Sequence, residues 1–177
     1  MKLVLFFIFL SFPLFISAET YYYEDSGFSF WVPENWTVEE QDEEIAAYLE
    51  DKEILAYFFI SPEQNIEKSL SGVLKAFEDT LDKIETGEIE EDEINQLKVI
   101  ALSGRGLHKD EKKTYDFGIY IYYDQDSHES FFAVVFAKEA SFQEFSSEIA
   151  EICLSVKKDG TIQKNEKRKT IRKTFPI

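Results

Sequence analysis

Asp124-Gln125-Asp126-Ser127-His128-Glu129 sets carboxylate oxygens and an imidazole at alternating positions, the donor types that hold divalent cations. As a calcium loop the segment fails, because its sixth position is Glu129 rather than Gly and its twelfth is Val135 rather than Glu. A solvated hairpin turn accounts for the same residues. Glu85, Glu88, Glu90, Glu91, Asp92 and Glu93 form a second acidic group, expected at the end of a long helix and beyond, with only Lys83 as a basic neighbour. Such a run holds a weak divalent ion, presents an acidic face to a basic partner, or is a solvated edge. Nucleophilic chemistry has less to work with. Cys153 falls on an apolar helical stripe, and no motif ties it to His108 or His128. Gly-x-Ser-x-Gly, His-Glu-x-x-His and phosphate-loop sequences do not occur, and Gly104-Arg105-Gly106 is only a fragment of a glycine motif. The reading is therefore of no catalytic residue, no metal centre and no cofactor. Asn35-Trp36-Thr37 fits the N-glycosylation pattern, which matters only in a eukaryotic secretory route.

Aromatic residues offer another kind of site. Tyr21-Tyr22-Tyr23 precedes the first strand-like segment and is taken as a contact for a protein partner, together with Glu90, Glu91, Asp92 and Glu93. Tyr120, Tyr122 and Trp31 lie opposite the main apolar sets of their strands, and for Tyr120 and Tyr122 packing beneath a helix is the expectation.

These residues need elements to position them. The chain has 177 residues, 44% of them hydrophobic and 16% aromatic, with one Cys and a net charge of −16, which fits a single folded domain and disfavours nucleic acid as a partner. Charge is uneven. Residues 157–177 carry eight basic and two acidic side chains, and removing that +6 and the charge of Lys2 leaves −23 on residues 19–156. Three parts are expected: a signal peptide over 1–18, a folded domain over 19–156 and a basic, flexible tail over 157–177. The signal reading rests on Lys2, the apolar run Leu3 to Phe15 and cleavage after Ala18. Ile16 is larger than the small residue preferred at its place, which leaves an uncleaved anchor as the alternative. The product is expected to be exported and soluble, in the periplasm or outside the cell. In the tail, Lys167, Arg168, Lys169, Arg172 and Lys173 would meet an anionic surface, peripherally at a membrane, or fold back on the acidic body.

Phe28, Phe30 and Val32 alternate with polar or aromatic positions and predict a strand stopped by Pro33. Ile45 to Glu50 and Ile54 to Ile60 predict a hairpin, the second arm apolar on both faces. Ile66, Leu70, Val73, Leu74, Phe77, Leu81 and Ile84 step by three and four and predict one long helix, capped by Ser61 with Pro62 and Gln64 and ended by Gly87. Lys98 to Leu102, Tyr115 to Tyr123 and Phe131 to Ala137 predict an antiparallel meander, because the polar links are too short for crossover helices. A last helix is expected from a Ser141 cap, turning Phe142, Phe145, Ile149, Ile152, Cys153 and Val156 inward.

Gly27-Phe28-Ser29-Phe30-Trp31-Val32-Pro33-Glu34-Asn35-Trp36 resembles the first strand and Pro-x-x-Trp turn of the PsbP-like superfamily. Ile94-Asn95-Gln96-Leu97-Lys98 and Leu154-Ser155-Val156-Lys157 resemble later motifs of that family in the same order, over about residues 27–157. Gln96 departs from the pattern, since relatives commonly carry Gly there. The resemblance implies an α+β fold, an antiparallel sheet flanked by helices, in a family that includes the extrinsic P protein of photosystem II, a Ran-binding nuclear transport factor and exported bacterial proteins. It implies binding and assembly rather than chemistry, and no functional residue of those relatives carries over. Two readings follow: an exported accessory protein that docks a partner through its acidic body, or a small-ligand or divalent-metal-binding periplasmic protein or enzyme subunit.

Overall fold

In the computed structural model, which describes residues 18–41, 44–61, 65–124, 129–158 and 169–171, strands β5 (Ile54–Ser61), β9 (Thr114–Tyr123) and β10 (Ser130–Lys138) form the centre of a large antiparallel sheet. Their near-continuous apolar composition places them there, because a strand apolar on both faces must be covered on both. Outward from β5 lie β4 (Glu44–Leu49) and β3 (Thr37–Gln41). Outward from β9 lies β8 (Leu97–His108), whose free side pairs end to end with β6 (Leu81–Thr86) and β7 (Glu90–Ile94). A smaller sheet is built on β1 (Ala18–Tyr23) and β2 (Phe28–Pro33). It is flanked by β11 (Lys157–Lys158) beside β2 and β12 (Lys169–Ile171) parallel to β1. The sequence-based fold class, α+β with an antiparallel sheet, agrees with this architecture, and the second sheet adds to it.

Period-two alternation sorts side chains to two cores. On one face Phe58, Phe131, Ala133 and Val135 meet Tyr21, Tyr23, Phe28, Phe30 and Val32 of the small sheet and Ile149, Ile152, Cys153 and Val156 at the chain's last helix. Phe30 stacks on Phe58 with ring centroids 4.0 Å apart. On the other face Phe117, Ile119, Ile121, Phe132 and Val134 are covered by the stripe Ile66, Leu70, Val73, Leu74 and Phe77 of α1 (Ile66–Thr80).

Three expectations about helices are corrected. Ser61 is the last residue of β5 rather than a cap; Asn65 is the N-cap of α1, its side-chain oxygen accepting from the Lys68 N–H at 3.0 Å. Pro62 and Gln64 lie outside the described residues. Leu81 and Ile84 continue the three-residue spacing but belong to β6, because the backbone becomes extended at Leu81 and takes a positive φ of 52° at Lys83 within an irregular stretch of the β6–β8 pairing. Leu81 still reaches the α1-side core. The last helix begins without a side-chain cap: α2 (Glu139–Glu144) runs straight on from β10, breaks at Phe145, and α3 (Ser146–Leu154) follows, so Ser141 is helical interior.

The three family-like motifs each make a specific join. Trp36 N–H donates to the Pro33 carbonyl at 3.1 Å, closing the turn after β2 and burying the indole. Asn95 and Gln96, with φ of 51° and 68°, form the two-residue turn between β7 and β8. The Asn95 amide donates to the carbonyls of Leu154 and Val156 at 2.9 and 2.8 Å, and the Trp31 N–H donates to the Ser155 hydroxyl at 3.0 Å. The chain's final segment is thus tied to the β7–β8 turn and to β2. The strand pairing also carries the folded body to Lys158, two residues past the expected boundary.

A non-Gly residue in the left-handed region costs roughly 1–2 kcal/mol, so Gln96→Gly is expected to raise unfolding free energy by about 1 kcal/mol. Asn95→Ala removes two hydrogen bonds and an amide that tolerates this conformation, and is expected to lower it by about 1–3 kcal/mol. Denaturant titration of both variants checks the pair.

Candidate functional site

Every acidic side chain from Asp82 to Glu93 (Asp82, Glu85, Glu88, Glu90, Glu91, Asp92, Glu93) is exposed, along the outer edge that β6 and β7 give the large sheet. Lys83 is the only basic side chain on this stretch. The group was expected at a helix end; β-pairing with β8 lays it out as a straight edge instead, with Glu91 and Glu93 alternating with Glu90 and Asp92 across the strand. Two exposed apolar side chains frame it. Ile89, 57% exposed, sits just before β7, and Leu154, 56% exposed, sits at the end of α3, where its carbonyl meets Asn95 after β7. Five steps of strand separate Ile89 from Ile94, a span of roughly 17 Å.

The tyrosine triplet lies elsewhere. Tyr21 and Tyr23 are 2% and 7% exposed in the core under the small sheet, with the Tyr23 hydroxyl donating to the Phe58 carbonyl at 2.6 Å. Burial pushes both phenols well above their ordinary range. This corrects the expectation of a partner contact through Tyr21 and Tyr23: pairing with β2 turns alternate residues inward, and only the half-buried Tyr22 is left on the other face. Tyr122 packs beneath α3 as expected, its hydroxyl donating to the Cys153 carbonyl at 2.7 Å.

The other chemical candidates resolve into structure. Asp124 and Glu129 close their hairpin through a backbone bond of 3.1 Å and both accept from the Lys158 ammonium, at 2.7 and 2.8 Å, which also lies 5.0 Å over the Phe28 ring. Burial works to lower the Lys158 pKa, and the two carboxylates outweigh it and raise it. Residues 125–128, including His128, lie outside the described residues, as do Lys167, Arg168, Arg172 and Lys173 of the tail; Lys169 is described through its backbone pairing to Tyr21. The His108 ring accepts from the N–H groups of Asp110 and Glu111 in a turn. A Cβ on Gly104 would lie 2.3 Å from the Phe117 ring and one on Gly106 2.9 Å from Leu81, so packing under β6 explains this glycine pair. Among the described residues no group of three or more His, Cys, Asp or Glu is placed to share a metal ion.

Spacing in the sequence missed a concave feature. Between α1 and strands β5 and β10 runs an open groove of about 760 Å³, lined by Leu55, Tyr57, Phe59, Val73, Phe77 and Phe136 among others. The signal for it was the unbroken apolar run of β5, which was read only as core.

No protein-family model and no curated protein matches the sequence. Solved structures do match. The cyanobacterial PsbP protein (CyanoP) of Synechocystis superimposes over 80% of this chain and 92% of its own, with a TM-score of 0.60 at 12% identity. The chain has the PsbP/Mog1-like fold. The Ran-binding protein Mog1p of Saccharomyces cerevisiae matches over 80% of this chain and 95% of its own, with a TM-score of 0.53 at 10% identity. A Bacteroides thetaiotaomicron protein matches over 84% of this chain and 50% of its own, with a TM-score of 0.56 at 12% identity. None of the helices among the described residues is long and apolar enough to cross a membrane.

Cys153 is free and buried, and burial pushes its thiol from 9.0 up to about 12 despite the Tyr122 hydroxyl. A thiol reagent at pH 8 is expected to leave the native protein unlabelled and to label one equivalent in denaturant. Because the folded thiol pKa lies above the unfolded one, its contribution to stability is present below pH 9 and declines towards pH 12, a decline that Cys153→Ala removes.

Proposed function

We propose that this chain is an exported, non-enzymatic accessory protein that docks a basic protein partner along the β7 edge. The observation that carries the reading is the coincidence, on one edge, of a row of exposed carboxylates with exposed Ile89 and Leu154 at its two ends. Charge steers a basic partner and sets register, while a desolvated apolar side chain at each end supplies affinity. The remaining backbone groups of an edge strand also permit strand addition. The body's charge of −23 over residues 19–156 extends the attractive field beyond the contact itself. Mog1p, a Ran-binding protein, is support by fold alone that this architecture suits protein binding. The basic tail adds a second contact, to an anionic surface such as a membrane, with each basic residue near it contributing about 1 kcal/mol.

Capture from envelope extract identifies the partner, and binding is then measured with both proteins purified. Replacing Glu90, Glu91, Asp92 and Glu93 by Lys is expected to weaken binding at least about tenfold, chiefly through a slower on-rate that in the wild type falls with salt. Ile89→Ser is expected to raise the off-rate. Unchanged binding by the four-site variant overturns the assignment of the edge.

A further inference from the structure

Besides Ile89 and Leu154, the large hydrophobic side chain most exposed among the described residues is Tyr57, 39% exposed, and it lies in the α1 groove on the opposite side of the sheet from α3. Its surroundings have a direction. β5 ends at Ser61, and α1 returns over the sheet antiparallel to it, so the groove's two ends differ in chemistry. At the start of α1 its lining is Glu44, Ser61, Lys68 and Ser69, with the two serine hydroxyls 3.0 Å apart. Along the rest it is Tyr57, Phe59, Leu55, Val134 and Phe136 below and Val73, Ala76 and Phe77 beside them. Midway along α1, Gly72 lines the groove, and a Cβ there would meet nothing within 4 Å. The bare helix backbone at that point widens a slot that any larger side chain would narrow. Gly is a poor helix former in mid-helix beside Ala, and no close packing accounts for it here.

A volume of about 760 Å³ falls within the usual range for sites that bury a small molecule, and an apolar lining with charged groups at one end and only the Thr80 hydroxyl at the other suits an amphiphile. The head group is constrained by charge. Glu44 and Lys68 put opposite charges at the same mouth, next to two hydroxyls, on a body of net −23. A head that carries both signs and no net charge complements that mouth, whereas a lone carboxylate meets Glu44 and the body's field. We propose that the groove binds one monoacyl phospholipid with a zwitterionic head group, the acyl chain lying along Tyr57, Phe59 and Gly72 and the head at Glu44 and Lys68.

The probe is lysophosphatidylcholine, kept below its micelle-forming concentration and titrated into the full chain by calorimetry and thermal denaturation. Saturable 1:1 binding with a rise in Tm is expected, and laurate, an acyl chain with a bare carboxylate, is expected to bind at least about tenfold more weakly. Gly72→Leu fills the slot with a good helix former; it is expected to keep or raise Tm without ligand and to weaken binding at least about tenfold. No saturable binding by the wild type, or wild-type affinity in a folded Gly72→Leu variant, overturns the site. Equal binding of laurate overturns the head-group assignment. The groove and the β7 edge share no residue, so the outcome here is independent of partner docking.

Discussion

The central strands β5, β9 and β10 are apolar on both faces, and everything else in the fold follows from having to cover them twice. Seven strands in one path span about 29 Å at roughly 4.8 Å per strand, whereas a helix with its side chains is about 10 Å wide. One helix therefore shields about two strands. On the face that carries Phe58 and Phe131 the shortfall is made up by the β1–β2 hairpin and α3 together, and stacked rings fill the space between layers. On the opposite face α1 is the one covering helix among the described residues. It centres on β9 and β10, with the Phe77 ring 4.6 Å from Phe117 and 5.7 Å from Phe136, and none of its residues is fully buried. Among the described residues, the groove over β5 is what remains uncovered.

Closing the better-covered face buries polar groups, and the largest hydroxyl-bearing rings in it are satisfied, while Ser29 Oγ and Trp36 Nε1 have no hydrogen-bond partner among the described residues. Tyr23 and Tyr122 extend their hydroxyls to backbone carbonyls of Phe58 and Cys153, so two large rings are buried without stranding a donor. Asn95 does the same work from the outside, meeting the two carbonyls that flank Ser155 where α3 stops. Lys158, held between Asp124 and Glu129 over the Phe28 ring, anchors the strand that follows. The last helix is thereby fixed to the sheet along its final turn, whereas α1 is tied near its two ends, by the Ser61 and Ser69 hydroxyls and by the Lys109 N–H donating to the Thr80 carbonyl.

Much of this was legible in the residues. The double-faced run of β5, the meander and the inward set of α3 all follow from periodicity, and the three motifs with Trp36, Asn95 and Ser155 pointed to the fold. The failures have local causes. Leu81 and Ile84 keep a helical spacing by accident, since an irregular strand with a positive φ at Lys83 lets two residues three apart face inward. Tyr21 and Tyr23 obey a period of two, but three identical residues hide an alternation that only pairing with β2 makes visible. Gln96 sits in a conformation that Gly adopts without cost, and that cost is invisible in composition. The acidic run was read correctly as exposed but placed at a helix end, because spacing along a sequence does not say which strand a segment will pair with. The groove's one signal, the unbroken apolar run of β5, reads equally as core, since the groove arises from the width of a sheet against the width of a helix.

Charge on an edge strand has an explanation that involves no partner. Exposed strand edges invite pairing with other chains, and a row of like charges on β7 discourages it. Edge protection accounts for Glu90, Glu91, Asp92 and Glu93, and by itself it would favour polar residues at the strand's ends as well. Ile89 and Leu154 run against that expectation: each places a large apolar side chain more than half exposed beside the charged strand. Scattered surface hydrophobics are ordinary, so neither residue carries weight alone. The arrangement does, because two of the three most exposed large hydrophobics among the described residues border one edge and the third lines the groove beside α1. Charge that repels a second copy of this chain attracts a basic partner, and the flanking apolar pair gives such a partner something to bury.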